Sequence, residues 1–216
     1  MIATRTLAVA LFTFFISGCA TPVGVTRVGE QAAYREQTEN VLSVGKPSVY
    51  STQILARLAL SDQFESQPEV VLAELNSGLG KTDEHNRLFA LSELSFAHAE
   101  DSKDPSYYLA SAAYAYAFLF PADKTEASRP YDPRRRLAVD LYNRGIALGL
   151  AAKDGNEVDL NAREVSLPFG TLSLSANPDE FNYSGGRLTK FVSLTDLKVR
   201  GLRDTCRYSL LFLPWS

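Results

Sequence analysis

The sequence predicts an α+β protein, an irregular bundle of helical hairpins followed by a small antiparallel β-sheet. Three observations carry this. Apolar residues recur at helical spacing over much of residues 30–152. Residues 107–120 hold no charge at all and read as a helix that must be buried. Past Gly155 the pattern changes to alternation of apolar and polar residues, the period of a strand.

Residues 1–18 differ from everything after them. Arg5 supplies a positive start, residues 7–16 an apolar run and Ser17-Gly18 the small residues a peptidase needs, which makes a signal peptide and not a membrane span. Cys19 follows Ile16-Ser17-Gly18 directly, an order that resembles a bacterial lipoprotein lipobox. The resemblance implies thioether lipidation of Cys19, cleavage before it and acylation of the new amino terminus; a secretory signal with a chance cysteine is the competing reading. Each buried methylene contributes about 0.8 kcal/mol, so one acyl chain binds marginally and two or more anchor stably. The expected partner is thus a lipid bilayer, engaged through lipidated Cys19. Ala20 stands where inner-membrane lipoproteins of enteric-type bacteria carry Asp, which favours the outer membrane. Residues 19–29, punctuated by Pro22, Gly24 and Gly29, read as a tether.

The helical domain is expected over residues 30–152. A first helix spans 30–42, ended by Gly45 and Pro47, and a second spans 51–60 with Ile54, Leu55 and Leu58 on its apolar side. Pro68 opens a third, in which Val70, Val71, Leu72 and Leu75 are buried candidates and Gly78 is the stop. Residues 86–120 then form two helices back to back. In the first, Glu93 and Glu100 share one narrow stripe of an otherwise small or apolar surface. Asp104 caps the second and Pro105 begins it. On that helix Tyr107, Tyr114 and Phe118 face one way and Leu109, Tyr116 and Phe120 the other, so two neighbours can pack on it, while Ala110, Ala113 and Ala117 permit close approach. Asp132-Pro133 repeats the cap-and-proline start, with Leu137, Leu141 and Leu148 along one stripe, Ala138 and Tyr142 beside it, and an end near Ala151. The hairpins are tetratricopeptide-like, but no repeat of fixed period appears, which favours an irregular bundle.

The sheet is expected within residues 153–203. Val158, Leu160, Val165 and Leu167, then Thr171-Leu172-Ser173-Leu174-Ser175, alternate; Phe191-Val192 and Leu197-Lys198-Val199 look like further strands, and Gly185-Gly186 is a hairpin turn. Residues 204–216 form an atypical apolar tail.

Composition and motifs bound the chemistry. A net charge of −3 disfavours nucleic acid as a partner. Cys206 is the only other cysteine, so lipidation of Cys19 leaves no intramolecular disulfide. Gly80-Lys81-Thr82 looks like the end of a phosphate-binding loop, yet Leu75 occupies the position that needs glycine and a helix precedes it, so a helix end and a turn is the better reading. His85 and His98 have no second ligand at metal spacing; no metal and no cofactor are expected, and His98 reads as a structural histidine. Ser184 precedes Gly185-Gly186, but no G-x-S-x-G occurs and no histidine follows. Arg134-Arg135-Arg136 sits in a first helical turn, against the helix dipole; it is a solvated face with Asp132 and Glu126 as counter-ions or, less commonly, an anion site. The tyrosines at 107, 108, 114 and 116 read as core, their hydroxyls needing partners when buried.

Four stretches occur together in order: Gly18-Cys19-Ala20-Thr21-Pro22-Val23-Gly24-Val25, Asp140-Leu141-Tyr142-Asn143-Arg144-Gly145, Leu167-Pro168-Phe169-Gly170-Thr171-Leu172, and Val199-Arg200-Gly201-Leu202-Arg203. Through them residues 19–203 resemble the amino-terminal region of a family of large bacterial lipoproteins of the α/β-hydrolase class. The resemblance implies a lipobox and helical segment ahead of a catalytic domain whose nucleophile, acid and histidine would lie downstream, so no catalytic residue is carried over. Departure from that pattern after Arg203 suggests an anchor and accessory domain left by a frameshift or early stop. The expected function is a membrane-anchored, non-catalytic tether or interaction module with a protein partner in the envelope; the alternative is an esterase-like hydrolase whose catalytic part is missing or unrecognised.

Overall fold

The computed structural model describes residues 27–81, 83–121, 131–152, 155, 157–177, 180 and 188–193. The signal peptide, Cys19, most of the tether, Glu126, Ser184, the Gly185-Gly186 turn, the strand expected at Leu197-Lys198-Val199, Cys206 and the tail lie outside them. The chain divides into two units, Met1–Arg35 and Glu36–Ser216. In the first, helix α1 (Glu30–Thr38) begins with no buried residue and runs on past the boundary.

The fold is α+β, mostly helical with one two-stranded antiparallel sheet. After α1 come α2 (Val41–Val44), α3 (Val49–Arg57), α4 (Ser61–Ser66), α5 (Pro68–Ser77), α6 (Glu84–Ser102), α7 (Pro105–Leu119), α8 (Arg134–Gly149), β1 (Arg163–Leu167) and β2 (Gly170–Leu174). The helix expected over 30–42 is two helices because Asn40 starts a new one. Its backbone is extended, its Oδ1 accepts from the N–H groups of Leu42 and Ser43, and its own N–H donates to Ser43 Oγ, a reciprocal cap. Helix α3 ends before residue 60 as Ala59 turns to φ +56°. The short α4 was not predicted, since Phe64 is its only large apolar residue.

Helix α6 is the centre of the bundle. Every residue from 88 to 97 is buried, and α3, α5, α7 and α8 all pack against it. On α5, Val71, Leu72 and Leu75 are fully buried, but Val70 is 49% exposed and turns away from α6. Asp104 caps α7 as expected, its Oδ1 accepting from Ser106 N–H at 2.9 Å. Two neighbours, α6 and α8, then pack on α7. They do not enclose it: Ala113, Tyr116 and Phe120 form an exposed stripe, with Phe120 63% exposed. Two packed helices cover two arcs of a cylinder and leave a third.

Helix α8 approaches α7 through glycine. A Cβ on Gly145 would lie 2.6 Å from the Tyr108 carbonyl oxygen, and one on Gly149 would lie 2.6 Å from Leu109 Cγ. These glycines bring the two backbones together, while Ala138 and Leu141 are fully buried at the same interface. The sheet is a hairpin turning at Pro168-Phe169, with Val165 opposite Leu172 and Leu167 opposite Gly170. Phe169 docks it on the bundle: its ring is 5.7 Å from that of Tyr114, and its carbonyl accepts from Asn76 Nδ2 at 3.4 Å. Phe191-Val192 is not a strand; nearby, the Thr189 carbonyl accepts from Val158 N–H at 2.9 Å.

Candidate functional site

Polar groups from three parts of the chain converge at the amino-terminal end of α6. Asp83 holds the entry in a left-handed conformation, φ +72°, unusual outside glycine. Its carboxylate accepts from Arg57 at the end of α3 and from Asn86 one turn along α6. Asn86 Oδ1 in turn accepts from Arg134 at the start of α8. Arg134 also forks onto Asp132, Nε to Oδ1 at 3.0 Å and Nη2 to Oδ2 at 2.7 Å, while the Asp132 Oδ1 accepts from the Arg134 backbone N–H at 3.0 Å. The His85 Nε2 stands 3.7 Å from Asp132 Oδ2. A hydrogen-bonded relay therefore runs Arg57, Asp83, Asn86, Arg134, Asp132, with the His85 imidazole beside its end.

The inner end of the relay is flanked by aromatic rings. The Arg134 guanidinium lies 5.2 Å from the Phe118 ring centre, 5.5 Å from Phe89 and 5.9 Å from Tyr50. His85 stacks on Phe118 at 4.1 Å. Burial alone would raise the Asp132 carboxyl, but hydrogen bonds and charge from Arg134, with His85 beside it, hold it below its ordinary value. The reading of residues 134–136 as a solvated face is corrected for Arg134: only 15% of its side chain is exposed, because its fork is saturated by Asp132 and Asn86 and its face by aromatic rings.

A second polar centre lies in the middle of α6. Glu93 is fully buried; its Oε1 accepts from the N–H groups of Ser48 (2.8 Å) and Val41 (3.2 Å), its Oε2 from the hydroxyls of Ser48 and Ser51, both at 2.6 Å. Burial pushes the Glu93 carboxyl above its ordinary range, and the four donors pull it only part of the way back. The carboxylate thereby satisfies N–H groups at the starts of α2 and α3 and ties both to α6. Glu100, its companion on the stripe, points outward, its side chain 40% exposed.

No protein-family model, curated protein or solved structure matches this chain.

His98 is 12% exposed at its side chain, 3.6 Å from Glu69 Oε1 and edge-on to Tyr107 at 4.3 Å. Tyr107 and Tyr108 are buried, and Tyr114 donates to Asn76 Oδ1 at 2.8 Å, whereas Tyr116 is 52% exposed. Burial raises all three hydroxyls at 107, 108 and 114, with Glu69 adding to the effect on Tyr107 and Glu100 on Tyr108. Residues 80–81 follow helix α5, with Gly80 at φ +74°, so this stretch is a turn after a helix. Among the described residues no three His, Cys, Asp or Glu side chains gather to hold a metal ion, and no helix is long and apolar enough to cross a membrane. The relay brings together His85 and Arg134, both singled out by the sequence, and adds Arg57, Asp83 and Asn86, which were missed because nothing local marks them. For Glu93 there was a signal: it is the only charge between Arg87 and Glu100 apart from any on His98.

Proposed function

We propose that this chain is a membrane-anchored lipoprotein, attached through lipidated Cys19 and facing the periplasm from the outer membrane, that serves as a non-catalytic tether and accessory or interaction module. The observation that carries the reading is that the carboxylates of the two polar centres are already engaged by donors of the bundle itself. Asp132 is neutralised by Arg134, Asp83 by Arg57, and Glu93 is held by four donors. Groups held this way orient helices; a general base needs a free lone pair aimed at a reacting proton. The buried tyrosines are shifted upward, opposite to what a nucleophile requires. The lipobox-like order around Cys19 supports the anchor, and the four ordered motifs support kinship with the front of α/β-hydrolase lipoproteins.

A fluorophosphonate probe tests the non-catalytic part. The purified full chain is expected to remain unlabelled under conditions that label a serine esterase. Covalent labelling abolished by replacing one serine of this chain would overturn the reading. Pull-down from envelope membranes is then the route to a protein partner.

A further inference from the structure

Beside the outer end of the relay opens a cleft of about 220 Å³, lined by Ile54, Arg57, Leu58, Asp83 and Arg87. Its two guanidinium groups differ. Arg57 is paired with Asp83. Arg87 is half-buried, and its side chain makes no hydrogen bond or ion pair among the described residues. Its guanidinium lies against the backbone of Gly78, in space that any Cβ at that position would invade. Asp83 offers Arg87 no ready pairing, since its oxygens already accept from Arg57 and Asn86. A planar cation with its donors unused, fixed in a cleft, is matched by a carboxylate that accepts two of them at once. Ile54 and Leu58 supply an apolar wall, and the lining carries two cations against one anion.

From this juxtaposition we infer that the cleft binds a small organic anion, a carboxylate on a short aliphatic stem, with the carboxylate on Arg87 and the stem against Ile54 and Leu58. The site is independent of the anchoring role proposed above.

Methyl signals of Ile54 and Leu58 in the full chain, held in lipid nanodiscs, report occupancy directly. Titration with butyrate is expected to shift both saturably, while butan-1-ol and inorganic phosphate, which each supply half of the chemistry, bind at least ~10-fold more weakly. Arg87→Ala is expected to weaken butyrate at least ~10-fold. Gly78→Ala keeps every charge but displaces the Arg87 guanidinium, and it should weaken butyrate similarly with the remaining methyl spectrum unchanged. Equal binding of butan-1-ol or phosphate, an absence of saturable shifts, or unchanged butyrate affinity in both variants would overturn the assignment.

Discussion

Glu93 is a carboxylate where the surrounding residues are apolar, and its four donors define what may replace it. Glutamine keeps an oxygen for the N–H groups of Val41 and Ser48 and presents an amide that donates to the oxygens of Ser48 and Ser51. Leucine keeps the volume but strands two buried backbone donors, at about 1–3 kcal/mol each. Glu93→Leu should therefore cost several kcal/mol in denaturant unfolding and Glu93→Gln far less. The pH dependence has a definite sign. With its pKa raised in the folded state, Glu93 supports the fold fully below its unfolded value of about 4.5, and this contribution is lost as pH rises through the folded value. Unfolding curves across that window should show Glu93→Gln gaining on the unsubstituted protein as pH increases; a difference independent of pH would refute the burial argument.

The contact between α7 and α8 shows how a helix pair can depend on atoms that are absent. At Gly145 a methyl group would meet a backbone carbonyl at 2.6 Å, which cannot rotate aside. Overpacking costs about 1–3 kcal/mol, against a gain of about 1 kcal/mol in helix propensity on replacing glycine by alanine. Gly145→Ala should thus destabilise by up to about 2 kcal/mol, read as a lowered Tm; a raised Tm would mean the helices can separate freely. Elements with chemical punctuation were legible in sequence: Pro68 opens α5, Asp104-Pro105 opens α7, and alternation marks β1 and β2. Helix α4 was not, because one apolar residue makes no period. The break at Asn40 was hidden because Val41 follows Tyr34 by seven residues, at helical spacing, so the period reads on across it. The relay was illegible for a different reason. Its one local pair, Asp132 with Arg134, was expected, but Arg57, the Asp83–Asn86 turn and Arg134 lie in separate stretches that only the packing of α3, α6 and α8 brings together.

At the scale of the whole molecule, the proposed anchor makes location a property of one atom, the Cys19 sulfur. Cys19→Ala should abolish palmitate incorporation and move the chain from the membrane pellet to the soluble fraction, while leaving the circular dichroism of the bundle unchanged; continued sedimentation with membranes would point to another attachment. The stripe of Tyr116 and Phe120, with Tyr142 against it, then has a practical consequence. Aromatic surface left wet favours clumping once protein is concentrated. Phe120→Ser should raise the concentration at which purified material scatters light, with little change in melting temperature, because colloidal behaviour and folding are governed here by different faces of one helix.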